Sequence, residues 1–185
     1  MRPAYVRRLV LTGVLCLAAS GVGAEVDEAG WEPQGDWLVH AAHRGQWRKP
    51  SSEAWQFRRD ETGRWQAVYR QEASTIRVAC EIRQDGRSVR RIAAELSLAA
   101  YDRSAPGHFL PDARQTTRTM TLLHAQAARL RIVGPRADGV ASAEEDTVAR
   151  RGPLAAIIHV TAQPPVALDA QRAALDELIG SLTWF

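Results

Sequence analysis

Tryptophan and arginine are the residues of this sequence with the clearest capacity for molecular recognition. Indole rings stack on sugar rings and on guanidinium groups, and Trp and Arg contribute much of the binding energy at protein interfaces. Between positions 31 and 65 the chain carries Trp31, Trp37, Trp47, Trp55 and Trp65. We predict a contact surface for a partner protein or a cell-wall glycan. Its predicted residues are Trp37, Trp47, Arg48, Trp55, Arg58 and Trp65.

A structural role for the same indoles is the alternative. Gly35, Gly45 and Gly63 each stand two positions before a tryptophan, which is typical of a turn followed by the first large side chain of a strand. An indole buries a large apolar area and dominates the packing of a small core. The sequence leaves both interpretations open.

Two histidines, His40 and His43, have a spacing that could chelate zinc if the segment were helical. A catalytic zinc site normally needs three protein ligands, and only scattered carboxylates such as Glu32 and Asp36 are near in sequence. No glutamate stands between the two histidines, unlike the metalloprotease helix motif. We therefore predict no metal or other cofactor, and His40 and His43 remain the only candidates for one.

The remaining nucleophiles do not form a recognisable catalytic motif. Cys80 shares its alternation with Ile76, Val78 and Ile82, which predicts a buried and inert thiol. There is no Gly-x-Ser-x-Gly sequence and no glycine-rich phosphate loop. We predict a non-enzymatic binding or accessory protein. The alternative is a small periplasmic hydrolase whose site combines residues distant in sequence, for example His40 or His43 with a carboxylate.

The first 24 residues have the pattern of a secretory signal peptide. Arginines precede an apolar run from Leu9 to Ala19, and small residues lead to Ala24. The run is too short for a transmembrane helix, which needs about 20 apolar residues, so no stable membrane span is predicted. We expect cleavage after Ala24 and a periplasmic or secreted protein of a bacterial-type cell envelope. Cleavage would remove Cys16 and leave Cys80 as the only cysteine.

Charge excludes one class of partner. The formal net charge is +3, and Arg2, Arg7 and Arg8 of the predicted signal account for all of it. A neutral mature domain has no long-range field that would attract nucleic acid, so we predict no nucleic-acid partner. Residues 25–36 carry only acidic charges together with Gly30, Pro33 and Gly35, which predicts a loosely attached arm.

The first half of the domain has the periodicity of strands. Residues 54–59 and 64–70 flank a turn that ends in glycine, which predicts a hairpin. Residues 76–83 have large apolar side chains or Cys80 at every second position, with two arginines, an alanine and a glutamate between them, and predict a third strand. Asp85-Gly86 predicts a tight turn, and the alternation in residues 92–98 predicts a return strand. Together these segments predict an antiparallel meander of about four strands.

The second half is more mixed. We predict an exposed connection over residues 101–118 and strand-like ends for residues 119–133. The capping-box spacing of residues 142–145 predicts a short helix, and the continuous apolar run at 155–161 predicts a buried strand.

The last segment, residues 167–183, has the period of an amphipathic helix. One apolar stripe contains Leu168, Leu175, Leu178, Ile179 and Leu182, with Arg172, Asp176 and Glu177 opposite. Such a helix must bury its stripe against another element. We predict a single α+β domain over residues 37–185, an antiparallel β-meander with this helix packed on one face.

Overall fold

The computed structural model describes residues 30–40, 42–43, 45–122 and 124–184, and every structural statement below concerns these residues. The predicted signal peptide, its cleavage after Ala24 and the first part of the predicted acidic arm lie outside them. In the described ranges, no helix has the length and apolar content needed to cross a membrane.

Antiparallel strands in two sheets form about half of the described chain. A small sheet has the order β1-β2-β3 and contains β1 (Trp31–Gln34), β2 (Trp37–His40) and β3 (Gly45–Arg48). A large sheet has the order β4-β5-β6-β10-β9-β8-β7. Its strands are β4 (Trp55–Arg59), β5 (Trp65–Gln71), β6 (Ser74–Gln84), β7 (Arg114–Leu122), β8 (Ala125–Pro135), β9 (Ala141–Arg151) and β10 (Leu154–Gln163). With helices α1 (Val89–Ala100), α2 (Val166–Ala170) and α3 (Arg172–Ser181), the class is α+β, as predicted.

The strands predicted most directly from alternation are present. Strands β4 and β5 form the expected hairpin, with Trp55 opposite Tyr69 and Arg59 opposite Trp65. The long strand β6 pairs with β5 on one side and with β10 on the other. Its buried positions include Ile76, Val78 and Ile82, the alternate residues that the pattern assigned to the core.

The predicted return strand over residues 92–98 is wrong, because these residues belong to α1. The hydroxyl of Ser88 accepts a hydrogen bond from the backbone N–H of Arg91, at 3.3 Å, and caps the helix N-terminus. Val89, Ile92 and Ala93 are buried at helical spacing, whereas Leu98 is 75% exposed. The apolar residues of this segment therefore fit a helix as well as a strand. Ser88, two residues after Asp85-Gly86, was the residue that indicated the start of the helix.

Two predictions for the second half also need correction. Residues 114–118, predicted to be part of an exposed connection, begin β7, and the 119–133 region contains the turn of the β7–β8 hairpin, where His124 has a positive φ of 62°. Residues 142–145 do not open a helix, because β9 is hydrogen-bonded to β8 and β10 along both edges. Pairing on both sides outweighs the local capping pattern.

The acidic arm is not loosely attached where the structure describes it. Strand β1 pairs with β2 from Trp31 to Gln34, and Trp31 is only 4% exposed. A buried indole and a paired backbone fix this segment to the domain, although its charges suggested a solvated arm.

Apolar side chains lie on both faces of the large sheet. One face carries Ile158 and Val160 of β10 in the same buried cluster as Leu168 and Leu178 of the C-terminal helices. On the opposite face, Ile157 of β10 is buried together with side chains of α1.

The segment predicted as one C-terminal helix is divided into α2 and α3 at Gln171. The predicted stripe is buried throughout, and α2 contacts β6 and β10, whereas α3 contacts β3. Arg172, which we expected to face solvent, is instead half-buried and ion-paired with Glu145 of β9.

Truncation of the stripe should cost the domain much of its stability. Leu178 is fully buried, and Leu178→Ala should lower the free energy of unfolding by about 2 to 5 kcal/mol through lost burial and the cavity left behind. The neighbouring exposed Glu177→Ala is the matched control and should change it by no more than about 0.5 kcal/mol. Urea denaturation measures both values, and a Leu178→Ala loss no larger than that of the control would contradict the burial of the stripe.

Candidate functional site

The structure places two of the predicted contact residues in the core. Trp47 and Trp55 are each 1% exposed and belong to the main hydrophobic cluster. A partner or a glycan could reach them only if the domain opened. For these two indoles the prediction of a contact surface is corrected in favour of the structural alternative, because their area is already buried against the protein.

The other predicted contact residues remain partly accessible. Trp37 is half-buried with the guanidinium of Arg48 5.9 Å from its ring centre, and Trp65 is half-buried with Arg59 at 5.0 Å. Arg58 is exposed and donates hydrogen bonds to the side chain of Gln56. Trp37 belongs to the small sheet and Trp65 to the large one, so they do not share one strand surface.

The two histidines with metal-ligand spacing do not lie on a helix. His40 ends β2, is 1% exposed, and its ring stacks on that of His43 with centres 4.8 Å apart. The backbone N–H of His43 donates to Nδ1 of His40 at 3.3 Å, and Trp31 packs edge-on against the His40 ring. In the part of the chain that the structure describes, no three His, Cys, Asp or Glu residues form a group that could hold a metal ion.

A deep arginine-lined groove lies on the face of the large sheet that also carries the main core. We call it the arginine groove. Its volume is about 690 Å³. It is lined by Arg114, Thr116, Arg118, Thr119, Met120, Arg129, Arg131, Val133, Glu145 and Arg172. The register places Arg114, Thr116 and Arg118 of β7 opposite Val133, Arg131 and Arg129 of β8, so these side chains share one sheet face.

A buried carboxylate organises the inner wall of the groove. Glu145 has a side chain only 2% exposed, and both of its oxygens accept hydrogen bonds from Arg172 at 2.8 Å. Nε of Arg129 lies 3.5 Å from the same carboxylate, which is an ion pair but too long for a hydrogen bond. Beside them, Arg131 forms a two-bond pair with Asp169 of α2, and this pair lowers the pKa of the Asp169 carboxyl.

The outer wall of the groove has no such compensation. Arg114 and Arg118 of β7 are exposed, and no carboxylate of the described residues pairs with either guanidinium. Arg118 also stands directly opposite Arg129 across the β7–β8 ladder. Like charges in that position destabilise a sheet. The groove therefore holds more positive charge than the protein itself neutralises, which is the electrostatic condition for binding an anion.

Sequence reasoning missed this site because it interpreted residues 101–118 as a connection. The signal was present in the alternation of Arg114, Thr116 and Arg118, and again in Arg129 and Arg131. Residues at every second position of a strand share one face, so Arg114 lies on the same face as Arg118, and Arg129 on the same face as Arg131. Only the pairing of β7 with β8 shows that the arginines of the two strands lie next to each other.

A second polar cluster lies on the opposite face of the sheet, beside α1. Nδ1 of His159 is 2.6 Å from Asp146, whose side chain is 1% exposed, and Arg136 binds Glu144 at 2.7 Å. An open cleft of about 250 Å³ borders these groups and His108. Cys80 points to the other face, into the core, where burial raises the pKa of its thiol. In the described chain, His159 makes no hydrogen bond to a hydroxyl or thiol that could serve as a nucleophile.

Opposing effects set the protonation of the His159 cluster. Burial disfavours the charged imidazolium, but the hydrogen bond and charge of Asp146, with the charges of Glu144 and Glu81, outweigh it and raise the pKa of His159 above 6.5. Burial and the neighbouring Asp146 raise the pKa of Glu144. Both shifts make the group retain its proton to a higher pH than it would in water.

Comparisons with known proteins relate this chain to others by fold. No protein-family model and no curated protein sequence matches it. A solved structure of LpqN from Mycobacterium tuberculosis, described as involved in cell envelope biogenesis, is 14% identical and has a TM-score of 0.50, covering 80% of this chain and 88% of LpqN. Cyanobacterial PsbP from Synechocystis sp. PCC 6803 is 10% identical with a TM-score of 0.55, covering 89% of this chain and 98% of its own. At these identities the likeness shows a shared fold.

Iodide quenching should separate the buried indoles from the accessible ones. Because Trp37 and Trp65 are half-buried, the double variant Trp37→Phe/Trp65→Phe should lose most of the iodide-quenchable tryptophan emission. Trp47→Phe removes a fully buried indole and should leave the quenchable emission unchanged. Stern–Volmer plots measure both, and strong quenching that depends on Trp47 would contradict its position in the core.

The His159 cluster should make stability depend on pH. A folded-state pKa above 6.5 means that protonated His159 stabilises the fold below that pH, and the contribution is lost as the pH rises through the folded value. The free energy of unfolding should therefore fall between about pH 6 and 8, by no more than about 1 kcal/mol because the ring is 36% exposed and partly screened. His159→Asn should flatten this dependence.

The exposed turn residue His124 is the control, because no carboxylate among the described residues pairs with it. Urea denaturation at each pH measures the effect. A pH dependence that persists in His159→Asn, or one that disappears in His124→Asn, would contradict the assignment.

Proposed function

We propose that this chain is an exported, non-enzymatic accessory protein of a bacterial-type cell envelope and that it binds an anionic partner in the arginine groove. The observation that carries the proposal is the pair Arg114 and Arg118, whose guanidiniums face a large groove with no carboxylate of the described chain to neutralise them. The signal-like N-terminus supports export. The fold shared with LpqN, a protein described as involved in cell envelope biogenesis, supports an envelope role.

The groove suits an extended ligand better than a small ion. Its volume of about 690 Å³ is comparable to pockets that hold molecules of tens of atoms. The unpaired arginines are four residues apart on one strand, which separates their Cα atoms by about 13 Å. A polyanionic chain with negative groups at a similar distance can contact both guanidiniums.

The Trp and Arg region of our sequence prediction remains a second, narrower proposal. Its accessible members are Trp37 with Arg48, Trp65 with Arg59, and the exposed Arg58, and each of the two indoles has a guanidinium over its ring. These residues are the ones through which a cell-wall glycan could be held. Trp47 and Trp55 support them from the core instead of contacting the ligand.

For the hydrolase alternative, the structure favours a different pair of residues from the one predicted. His40 and His43 lie in a packed aromatic hairpin, whereas the pair of His159 and Asp146 has the orientation of a base held by a carboxylate. Without a hydroxyl or thiol bonded to His159 in the described chain, this pair supports proton transfer to a bound water better than nucleophilic attack.

We also propose a structural role for α2 and α3, packed on the sheet as one unit. Leu168 and Leu178 lie in the same cluster as Ile158, and the pairs Arg172–Glu145 and Asp169–Arg131 fasten the helices at the edge of the arginine groove. In this arrangement the helices are a wall of the binding site.

The proposal is tested with two polyanions of different chemistry. Fluorescein-labelled poly-L-glutamate and polygalacturonate are titrated with the protein purified after export, and anisotropy reports binding. At least one of them should bind, with an affinity that falls as NaCl rises from about 50 to 200 mM. The double variant Arg114→Gln/Arg118→Gln should weaken that binding by about tenfold or more, because two charge-assisted contacts are lost.

The matched control is Arg77→Gln/Arg90→Gln. It removes two exposed arginines from β6 and α1, away from the groove, and should change the affinity by less than about twofold. Binding of neither polyanion, or equal losses in the two double variants, would contradict the arginine groove as the site.

A further inference from the structure

Strand β7 is the edge of the large sheet. On one side it pairs with β8 over nine consecutive residues, from Arg114 opposite Val133 to Leu122 opposite Ala125. On its other side no strand of the described chain is hydrogen-bonded to it. Because the N–H and C=O groups of an antiparallel strand point to alternate sides, every second residue of β7 directs both groups outward.

This edge lacks most of the features that prevent pairing with another chain. Edge strands are commonly short, interrupted by a bulge, or blocked by proline, since a long and regular edge is a template for an added strand. Strand β7 has nine residues, contains no proline and keeps an unbroken register with β8. Its polar residues are mainly threonines, which favour extended structure.

The positive charges of β7 determine which kind of strand could pair with its free edge. Arg114 and Arg118 lie on the same face of the strand, at the mouth of the arginine groove. A second copy of β7 would bring more arginines against them, which disfavours self-association through this edge. A strand with carboxylates at alternate positions would place them beside both guanidiniums and would relieve the unfavourable Arg118–Arg129 pair.

We propose that β7 accepts an extended acidic segment of a partner protein as an eighth strand of the large sheet. This inference rests on the proposed function, because the same arginines hold the ligand in both. The backbone of the segment bonds to the outward N–H and C=O groups of β7. Its carboxylates reach into the arginine groove, where Arg114 and Arg118 bind them and Nε of Arg129 is buried without a hydrogen-bond partner.

The partner sequence is thereby constrained. Side chains two residues apart on the added strand share a face, so glutamates or aspartates at positions i, i+2 and i+4 span the distance between the two arginines of β7. The other face of the added strand continues the surface of Gln115, Thr117 and Thr121, which are exposed and polar. Threonine, serine and glutamine suit that face.

The test uses a peptide that alternates glutamate and threonine over twelve residues. Its counterpart carries the same side chains but is N-methylated at every residue, so that it keeps the charge and loses the amide donors. The first peptide should bind, and the methylated one should bind about tenfold more weakly or worse, because a row of backbone hydrogen bonds cannot form. Arg114→Gln/Arg118→Gln should weaken binding of the first peptide by a similar factor, whereas Arg77→Gln/Arg90→Gln should leave this binding unchanged.

Hydrogen exchange supplies an independent measure of strand addition. The outward amides of β7, alternate residues between Gln115 and Thr121, should exchange more slowly when the unmethylated peptide is bound. Polygalacturonate, which has carboxylates but no amide backbone of this kind, should give no such protection even where it binds.

The outcomes separate the two proposals. Equal affinity for the two peptides, or peptide binding without protection of β7, overturns strand addition but leaves an arginine-dependent groove. Binding of polygalacturonate alone, lost in Arg114→Gln/Arg118→Gln, overturns strand addition and supports an acidic glycan as the ligand of the proposed function. If neither polyanion nor peptide binds, both proposals are overturned.

Discussion

The carboxylate of Glu145 is 2% exposed and lies on a sheet face beside the buried apolar side chains of Ala143 of β9 and Val160 of β10. A charge in that position must be neutralised where it lies, because removing one partner of a buried ion pair costs about 3 to 5 kcal/mol. Arg172 of α3 supplies two hydrogen bonds and Arg129 of β8 a second positive charge. This buried acid therefore links α3 to β8 and β9 through two ion pairs.

Toward β6 and β10 the face is apolar and buried in the same cluster as the helices; toward β8 and β7 it changes to arginine and threonine. The floor of the groove is thus the continuation of the same sheet face, left without a helix above it. Carboxylates of the described residues neutralise Arg131 and Arg172, but none of them pairs with Arg114 or Arg118. The arginines of β8 therefore have carboxylate partners, whereas those of the edge strand β7 have none among the described residues. The same strand carries both the unpaired guanidiniums and the backbone groups without a neighbouring strand. That coincidence is the basis for proposing an extended anion as the ligand.

The opposite face of the sheet has a different chemistry. There each acid has a basic partner, Arg136 for Glu144 and His159 for Asp146, and the two carboxylates raise the pKa of His159. Side chains of consecutive β9 residues point to opposite faces of the sheet. Glu144 and Asp146 therefore lie on the face of α1, and Glu145 lies on the face of the groove. A single acidic run in the sequence becomes two separate electrostatic environments because strand side chains alternate.

The pattern of side chains within single segments was sufficient to predict the α+β class, the β4–β5 hairpin, and strands β6 and β10. It also predicted the apolar stripe that the C-terminal helices bury. Each of these features depends on side-chain periodicity within one segment. It was insufficient for α1, where Ile92 and Leu96 fit both a strand and a helix until the cap at Ser88 is considered, and for β9, where pairing on both sides overrode a capping motif. The arginine groove and the burial of Trp47 needed the tertiary structure. Both depend on which distant strands become neighbours, and the free energy that decides this comes from contacts between segments, which no single segment of sequence contains.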